Sequence, residues 1–277
     1  MAIDPRLTLA PHTGPALMSA TVIVPVADLV SKPSRNSTPE CQLLHGDRFR
    51  VHAVKRGWAY GVALNALDAR RRDYVGWVSM RALVDQTMTA THRVTALRAP
   101  VFSRPDIKSV IRQFLPLGAR LASRGVEGDF VQMGGGGFLH ARHLAPRGQG
   151  CVRDFVDTAE SFQALPYVWG GNGPDGMDCS GLVKLSLQSA GIPAPRDADQ
   201  QEAALGEVVE PDAELMTLRR GDLVFWPGHV GVMQTSGRLL HANAHHMCVA
   251  TEPLREAVDR IGPIRMLRRL PMSGWAE

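Results

Sequence analysis

Cysteine is scarce in this chain: there are four among 277 residues, at positions 41, 151, 179 and 248. None stands in a CxxC pair, and four are too few to staple a protein of this length, so a disulfide scaffold is excluded. Unbridged thiols in a reducing compartment are the simplest expectation, with room left for one pair. Long apolar runs are also lacking. No stretch approaches the roughly 18–20 residues that a membrane-spanning helix needs. The N-terminus, "MAIDPRLTLAPHTGPALMSATVIVPVADL", is interrupted by Pro5, Pro11 and Pro15. It has no basic segment followed by an unbroken apolar one, and no nearby cysteine for a lipid anchor, so no secretory signal is read and a cytoplasmic location is expected, with export by a non-classical route as the alternative. Basic runs are missing as well. "ARRRD" at 69–73 is the one cluster, read as a solvated loop, and nucleic acid and membrane are not expected partners.

What is present is ordinary for a globular protein, 44% hydrophobic and 21% charged, and the length suits two or three domains. The net charge of +4 hides an asymmetry. Residues 1–146 carry 19 Lys and Arg against 10 Asp and Glu, and residues 147–277 carry 12 against 17. Halves of opposite sign attract each other within one chain, and a basic half can also meet an anionic partner.

After an N-terminal extension, residues 1–19, the segment 20–86 reads as β-rich. "TVIVPVADL", "RFRVHAVKRGWAYGVAL" and "YVGWV" put β-branched and aromatic residues between Gly, Pro and Asp. Residues 87–146 repeat the order of cues: an apolar segment, a Gly turn, a strand, Gly beside an aromatic, a further strand, and a closing Gly-aromatic-hydrophobic phrase with Arg. This duplication of about 60 residues resembles a tandem pair of bacterial SH3-like (SH3b) domains, which implies two small all-β barrels. "GGGG" at 134–137 is expected to form a flexible tip. "APRGQGCVRD" at 145–154 reads as a linker. Beyond it, residues 147–277 change texture. "CVRDFVDTAESFQAL" has helical spacing, with Val152, Phe155, Val156, Ala159 and Phe162 on one face and Pro166 as its stop. A second helix starts at Cys179 with Asp178 as N-cap, shares one face among Cys179, Leu182, Val183, Leu187 and Ala190, and ends at Gly191 and Pro193. "GDLVFW", "HVGVMQ" and "RLLHAN" read as three strands joined by short turns, giving an α+β domain.

Cys179 therefore stands where a turn-rich loop meets a helix. A thiol there can be a small buried hydrophobe. It can also be a nucleophile, because the helix N-terminus favours negative charge and a neighbouring imidazole favours the thiolate. Of the ten histidines, His229 starts a strand after the Pro227-Gly228 turn and His241 lies late in the next. A hairpin would set them side by side, completing a nucleophile, a base and a group that orients the base. His245 and His246 read as a solvated turn.

"YVWGGNGPDGMDCSGLV", then "RRGDLVFWPGHVGVM", then "RLLHA" is similar to the signature of the NlpC/P60 family of cysteine peptidases. The resemblance covers about residues 150–265. It implies a papain-like α+β fold, with Cys179 as nucleophile, His229 as base and acid, and His241 as the residue that fixes the imidazole. It also implies a share of the oxyanion hole for the Cys179 amide. Tyr167 is implied to face the thiol, the alternative being a packing aromatic. The implied substrate is a murein peptide cut at the γ-D-glutamyl bond to a diamino acid, with a free N-terminal L-Ala, in wall recycling. Asp178 and Ser180 would hold its ammonium, Trp169 and Arg196 would line its site, and Glu40 and Tyr74 of the first β-rich segment would close one side. Asp178 can equally be only a cap, Glu40 a loop residue and Tyr74 a core residue. "WPGHVG" has a single His where some relatives have two, and "PRDADQQ" keeps Arg196 and Gln200 but has Ala198 in place of a hydroxyl residue. "RGD" at 220–222 is the start of a strand and not an adhesion motif.

No cofactor or metal is expected, since Cys179, His229, His241 and Cys248 have no compact ligand spacing, and a monomer is expected. The alternatives are another papain-like amidase or acyltransferase, and a non-catalytic wall-binding protein.

Overall fold

The computed structural model describes residues 4–64, 72–148, 154–210 and 217–271. Cys151 and Val152, most of "ARRRD" and part of the linker expected at 145–154 lie outside the described residues. The chain divides into two compact units, Met1–Gln149 and Gly150–Glu277.

The first unit is all β. Its larger sheet runs in the order Pro39–Leu44, Val26–Val30, Arg72–Ser79, Trp58–Leu64, Arg48–Lys55, Met18–Val22, Leu83–Val84. Alternation sets the faces: in Arg48–Lys55, Phe49 and Val51 are buried while Arg50 is exposed. Their partners in one core include Leu29, Tyr74 and Val78. A second core, around Val94, Val101, Leu115, Leu121 and Leu139, fills the other copy, whose strands form a five-stranded and a three-stranded sheet. The two stretches share local features. Gly46 and Gly118 occupy equivalent turns, each with φ +85°, and each copy ends in a 3-10 turn, Met80–Ala82 or Ala141–His143, followed by a short strand. The Gly46 and Gly118 turns meet: the Arg120 amide donates to the His45 carbonyl at 2.8 Å, and the Arg120 guanidinium lies 3.3 Å from Asp47. The four-glycine tip is not loose. The Met133 amide bonds the Gly137 carbonyl at 2.9 Å and the Gly136 amide bonds the Met133 carbonyl at 3.0 Å, closing an ordered hairpin.

The second unit is α+β. Its helices are α1 (Phe155–Glu160), α2 (Cys179–Ser189), α3 (Ala198–Ala204) and α4 (Leu254–Ile261). Beside a two-stranded hairpin of Asn172–Gly173 and Gly176–Met177, its main strands are β1 (Glu207–Val208), β2 (Leu223–Trp226), β3 (His229–Met233), β4 (Arg238–Asn243), β5 (Cys248–Pro253) and β6 (Met266–Arg269). They form one antiparallel sheet ordered β1-β6-β2-β3-β4-β5. The expected meander is therefore present, extended by β5 and flanked by α4, neither of which the sequence pattern had suggested.

Two expectations are corrected. Helix α1 ends at Glu160, well short of the expected stop at Pro166. Asp154 caps it by accepting from the Val156 amide at 2.8 Å, but at Ala164 the chain turns to exchange hydrogen bonds with Val249 of β5, and sheet pairing displaces the helix. Helix α2 is not amphipathic: every residue from Cys179 to Ser189 is buried, Lys184 and Gln188 included. It is the central helix of the unit, packed between α1 and the β3–β4 hairpin, and such a helix has no solvent face to read from periodicity.

Candidate active site

Cys179 is the first residue of α2, set by the cap before it. Asp178 has extended backbone and its Oδ1 accepts from the Gly181 amide at 2.7 Å. Gly181 is required for that placement, because a Cβ there would lie 2.3 Å from the Gly171 carbonyl oxygen. The "GG" and "DCSG" phrases are thus two halves of one close contact between loop and helix. The same loop is stitched down on both sides of Tyr167. Its amide donates to the Met247 carbonyl at 2.9 Å, and the Val168 amide to the Met177 carbonyl at 3.2 Å.

The two histidines come together as expected, by a specific route. The β3–β4 register pairs Val232 with Leu240 and Met233 with Leu239; continued one residue, it sets His241 opposite Gly231, so His229 reaches it on the diagonal. Nε2 of His229 is 2.8 Å from Nδ1 of His241. A Cβ on Gly231 would stand 2.7 Å from Leu239 Cδ1 and 3.2 Å from His241 Cβ; the glycine of "HVG" keeps the diagonal open. The Pro227-Gly228 turn that starts β3 is tight, pairing Trp226 with His229.

Two further residues complete this row, and the sequence pattern did not find them. Nε2 of the buried His241 is 2.6 Å from Oε1 of Glu252 on β5. Arg260 of α4 grips both oxygens of that carboxylate, at 2.7 and 2.5 Å. The signal was weak: an acidic residue two positions before a helix whose last turn carries Arg. The same region holds a group of possible metal donors among the described residues, His241, His246 and Glu252. Arg260 lies on the carboxylate and His241 uses both ring nitrogens in hydrogen bonds, so the donor set is committed elsewhere. His246 itself bonds Asn243 through its amide and Nδ1.

The electrostatics differ from the expectation of a resting thiolate. Burial pushes the Cys179 thiol up to about 11, with the Asp178 charge adding to it; hydrogen bonds from the Val230 and Ser180 backbone and the charge of Arg196 act the other way. Burial, then His241 and Arg260, takes His229 down to about 4. Burial likewise holds His241 at about 4, against the pull of Glu252. Glu252 is held at about 2, chiefly by Arg260. At neutral pH the thiol and both imidazoles are uncharged and Glu252 is ionised. Burial outweighs the backbone hydrogen bonds and the Arg196 charge at the thiol. Tyr167 is raised to about 12 by burial and by Cys179 and Asp178. It therefore keeps its proton and can donate to developing negative charge.

Asp178 and Ser180 are more heavily engaged than a substrate clamp requires. Five hydrogen bonds reach the Asp178 carboxylate: from Gly170 and Gly181 amides, from Ser180 Oγ, and two from Arg196 at 3.0 and 2.6 Å. Arg196 also donates to Ser180 Oγ at 2.8 Å. Arg196 is 1% exposed, so its expected direct contact with substrate is corrected: it is a buried counter-ion. Gln201 of α3 fixes the same region, donating to the Ser180 carbonyl at 2.9 Å. Trp169 is 62% exposed and open to a ligand. Tyr74 is buried in the core of the first unit, and Glu40 lies part-exposed on the strand Pro39–Leu44. The "RGD" phrase is structural. Arg220 pairs with Asp154, Asp157 and Glu160 of the α1 region, and buried Asp222 with Arg269. Cys41, Cys179 and Cys248 form no disulfide, and Cys41 is core.

Comparison with known proteins gives these residues a frame. The sequence profile described as the NlpC/P60 family matches residues 164–259. A γ-D-glutamyl-L-lysine dipeptidyl-peptidase of Bacillus subtilis is 26% identical over 73% of this chain and 72% of its own length. A dipeptidyl-peptidase 6 of Lysinibacillus sphaericus is 28% identical over 82% and 88%. A bifunctional muramidase/DL-endopeptidase, CwlT of B. subtilis, is 39% identical, but the match spans only 30% of that protein. In structure, a Bacillus cereus NlpC/P60 family protein superposes with a TM-score of 0.76 over 91% of this chain and all of its own, at 23% identity. That likeness is one of fold.

Proposed function

We propose a substrate for this chain, whose residues 164–259 form a domain of the NlpC/P60 family of cysteine peptidases that act on peptidoglycan: a murein peptide, cleaved at the amide between γ-D-glutamate and a diamino acid. The observation that carries the chemistry is the His229 to His241 hydrogen bond of 2.8 Å on the hairpin packed against the helix that Cys179 begins. The relatives named as γ-D-glutamyl-L-lysine dipeptidyl-peptidase and dipeptidyl-peptidase 6 support the bond. The same names support a substrate with a free N-terminal amine, since a dipeptidyl-peptidase releases an N-terminal pair. Asp178 and Ser180, engaged with Arg196, lend that preference little. The two β-rich copies of the first unit fit SH3-like modules, a reading supported by their shared glycine turns.

The steps follow from the neutral groups of the site. The Cys179 thiol attacks the γ-carbonyl carbon as its proton passes to His229. The oxyanion is met by the Cys179 amide and the Tyr167 hydroxyl. The diamino acid's amine leaves with the proton from His229. Water, deprotonated by His229, then releases the γ-glutamyl product from the thioester.

Incubation of the full chain with L-Ala-γ-D-Glu-diaminopimelate, and with its N-acetylated form, tests the proposal. Release of L-Ala-γ-D-Glu from the free peptide, lost in Cys179→Ala, is the expected result. No cleavage of either peptide would overturn the substrate, and equal cleavage of both would overturn the free-amine preference.

A further inference from the structure

Glu252, gripped by Arg260, ends a hydrogen-bonded row that runs through His241 to His229. The row Glu252, His241, His229 contains two imidazoles, each neutral at pH 7, and each neutral ring has one donor and one acceptor nitrogen. At one end stands a carboxylate that can only accept. Its Oε1 lies 2.6 Å from His241 Nε2, so Nε2 carries the hydrogen and His241 Nδ1 is left as acceptor. That acceptor faces His229 Nε2 at 2.8 Å, so His229 Nε2 also carries its hydrogen. The lone pair of His229 is then on Nδ1, the nitrogen not engaged with His241. Reversing one hydrogen anywhere in the row would place a hydrogen on Nδ1 and leave the thiol without a base.

We propose that Glu252, held as an acceptor by Arg260, is a positioning residue that polarises the histidine row and keeps Nδ1 of His229 available to take the Cys179 proton. This rests on the proposed role of Cys179 and His229 and extends the row beyond the second histidine. The groups facing Glu252 are His241 from β4 and Arg260 from α4, at the distances given above. Further out, the charges of His246 and Glu256 act on His241 and Arg260 respectively. Arg260 is the only cation placed on the carboxylate among the described residues. Two donated bonds from one planar guanidinium leave the carboxylate no route to a proton. A glutamine cannot substitute, because its one acceptor oxygen would have to serve His241 and both Arg260 contacts, and its amide would set a donor against a donor.

The experiment reads the tautomers directly. Long-range ¹H–¹⁵N spectra of the ¹⁵N-histidine-labelled full chain at pH 7 should show His229 and His241 both protonated at Nε2. Glu252→Gln should populate the Nδ1–H form of His229 and lower kcat/KM about 10²-fold or more, with KM little changed. Glu252→Asp should recover part of that loss. In Arg260→Met the acid limb of the kcat/KM profile should move to higher pH. This second variant keeps the test open where Glu252→Gln fails to fold. An Nδ1–H form of His229 in the unaltered protein would overturn the proposal. So would Glu252→Gln with unchanged tautomers and kcat/KM within twofold, or an acid limb that Arg260→Met leaves in place. The spectra need no substrate, so failure of the peptide assay and failure of this proposal are separate outcomes.

Discussion

Gly231 and His241 face each other across the β3–β4 ladder, and the smallest side chain at that position is what lets His229 approach on the diagonal. Adding one methyl group tests this. In Gly231→Ala the new Cβ meets Leu239 Cδ1 at 2.7 Å and His241 Cβ at 3.2 Å. The leucine end can shift, but the His241 Cβ is fixed by the strand. The expected result is a stability loss of about 1–3 kcal/mol and a fall in kcat/KM of roughly tenfold or more, as the imidazole is moved off its partner. Gly237→Ala on the adjoining turn, where a Cβ meets nothing within 4 Å, is the control and should stay within about 0.5 kcal/mol of the parent. Urea denaturation and steady-state kinetics on the two variants decide it. Equal behaviour of the two would show that Gly231 has no special role.

The start of α2 is an element built around one buried ion pair. Arg196, 1% exposed, spans from the segment before α3 to Asp178, whose carboxylate also caps the helix. Removing one partner strands the other charge in a buried site, so Arg196→Met is expected to cost about 3–5 kcal/mol by urea denaturation. A loss below about 1 kcal/mol would mean that the backbone amides and the Ser180 hydroxyl satisfy Asp178 without Arg196. This element also shows how far local pattern reaches. Asp178 as a cap, Cys179 as the first helical residue and the three strands β2 to β4 were legible because capping, turn and alternation signals act within a few residues. The burial of α2 on all sides was not, because it depends on α1 and the hairpin closing over it. Glu252 and Arg260 were hidden for the same reason. Their place beside His241 is set by the pairing of β4 with β5 and by where α4 turns back, which no short stretch encodes. Arg196 was found by its motif, but its role as buried counter-ion required the distance to Asp178.

At the scale of the whole molecule, the buried neutral histidines tie stability to pH. His229 and His241 are held at about 4, chiefly by burial, while the unfolded chain takes up their protons near 6.5. Between those values the unfolded state binds more protons than the native state. Stability therefore rises with pH across that window and is lost as pH falls from about 6.5 towards 4. His45, buried in the first unit, has its affinity lowered by burial and acts in the same direction. Glu252, held at about 2 chiefly by Arg260, adds a second loss lower down, as pH falls through its unfolded value of about 4.5 towards 2. General acid repulsion in a chain of net charge +4 also falls in this range, so the slope of the parent alone does not isolate the histidines. The paired variant His229→Gln, His241→Gln does. Its urea midpoint should depend less steeply on pH between 6.5 and 4 than that of the parent, and the two slopes should converge above pH 7, where all these histidines are neutral in both states. Parallel slopes throughout that window would mean that the two rings take up protons without opening the fold, and that the site is wetter than its burial implies.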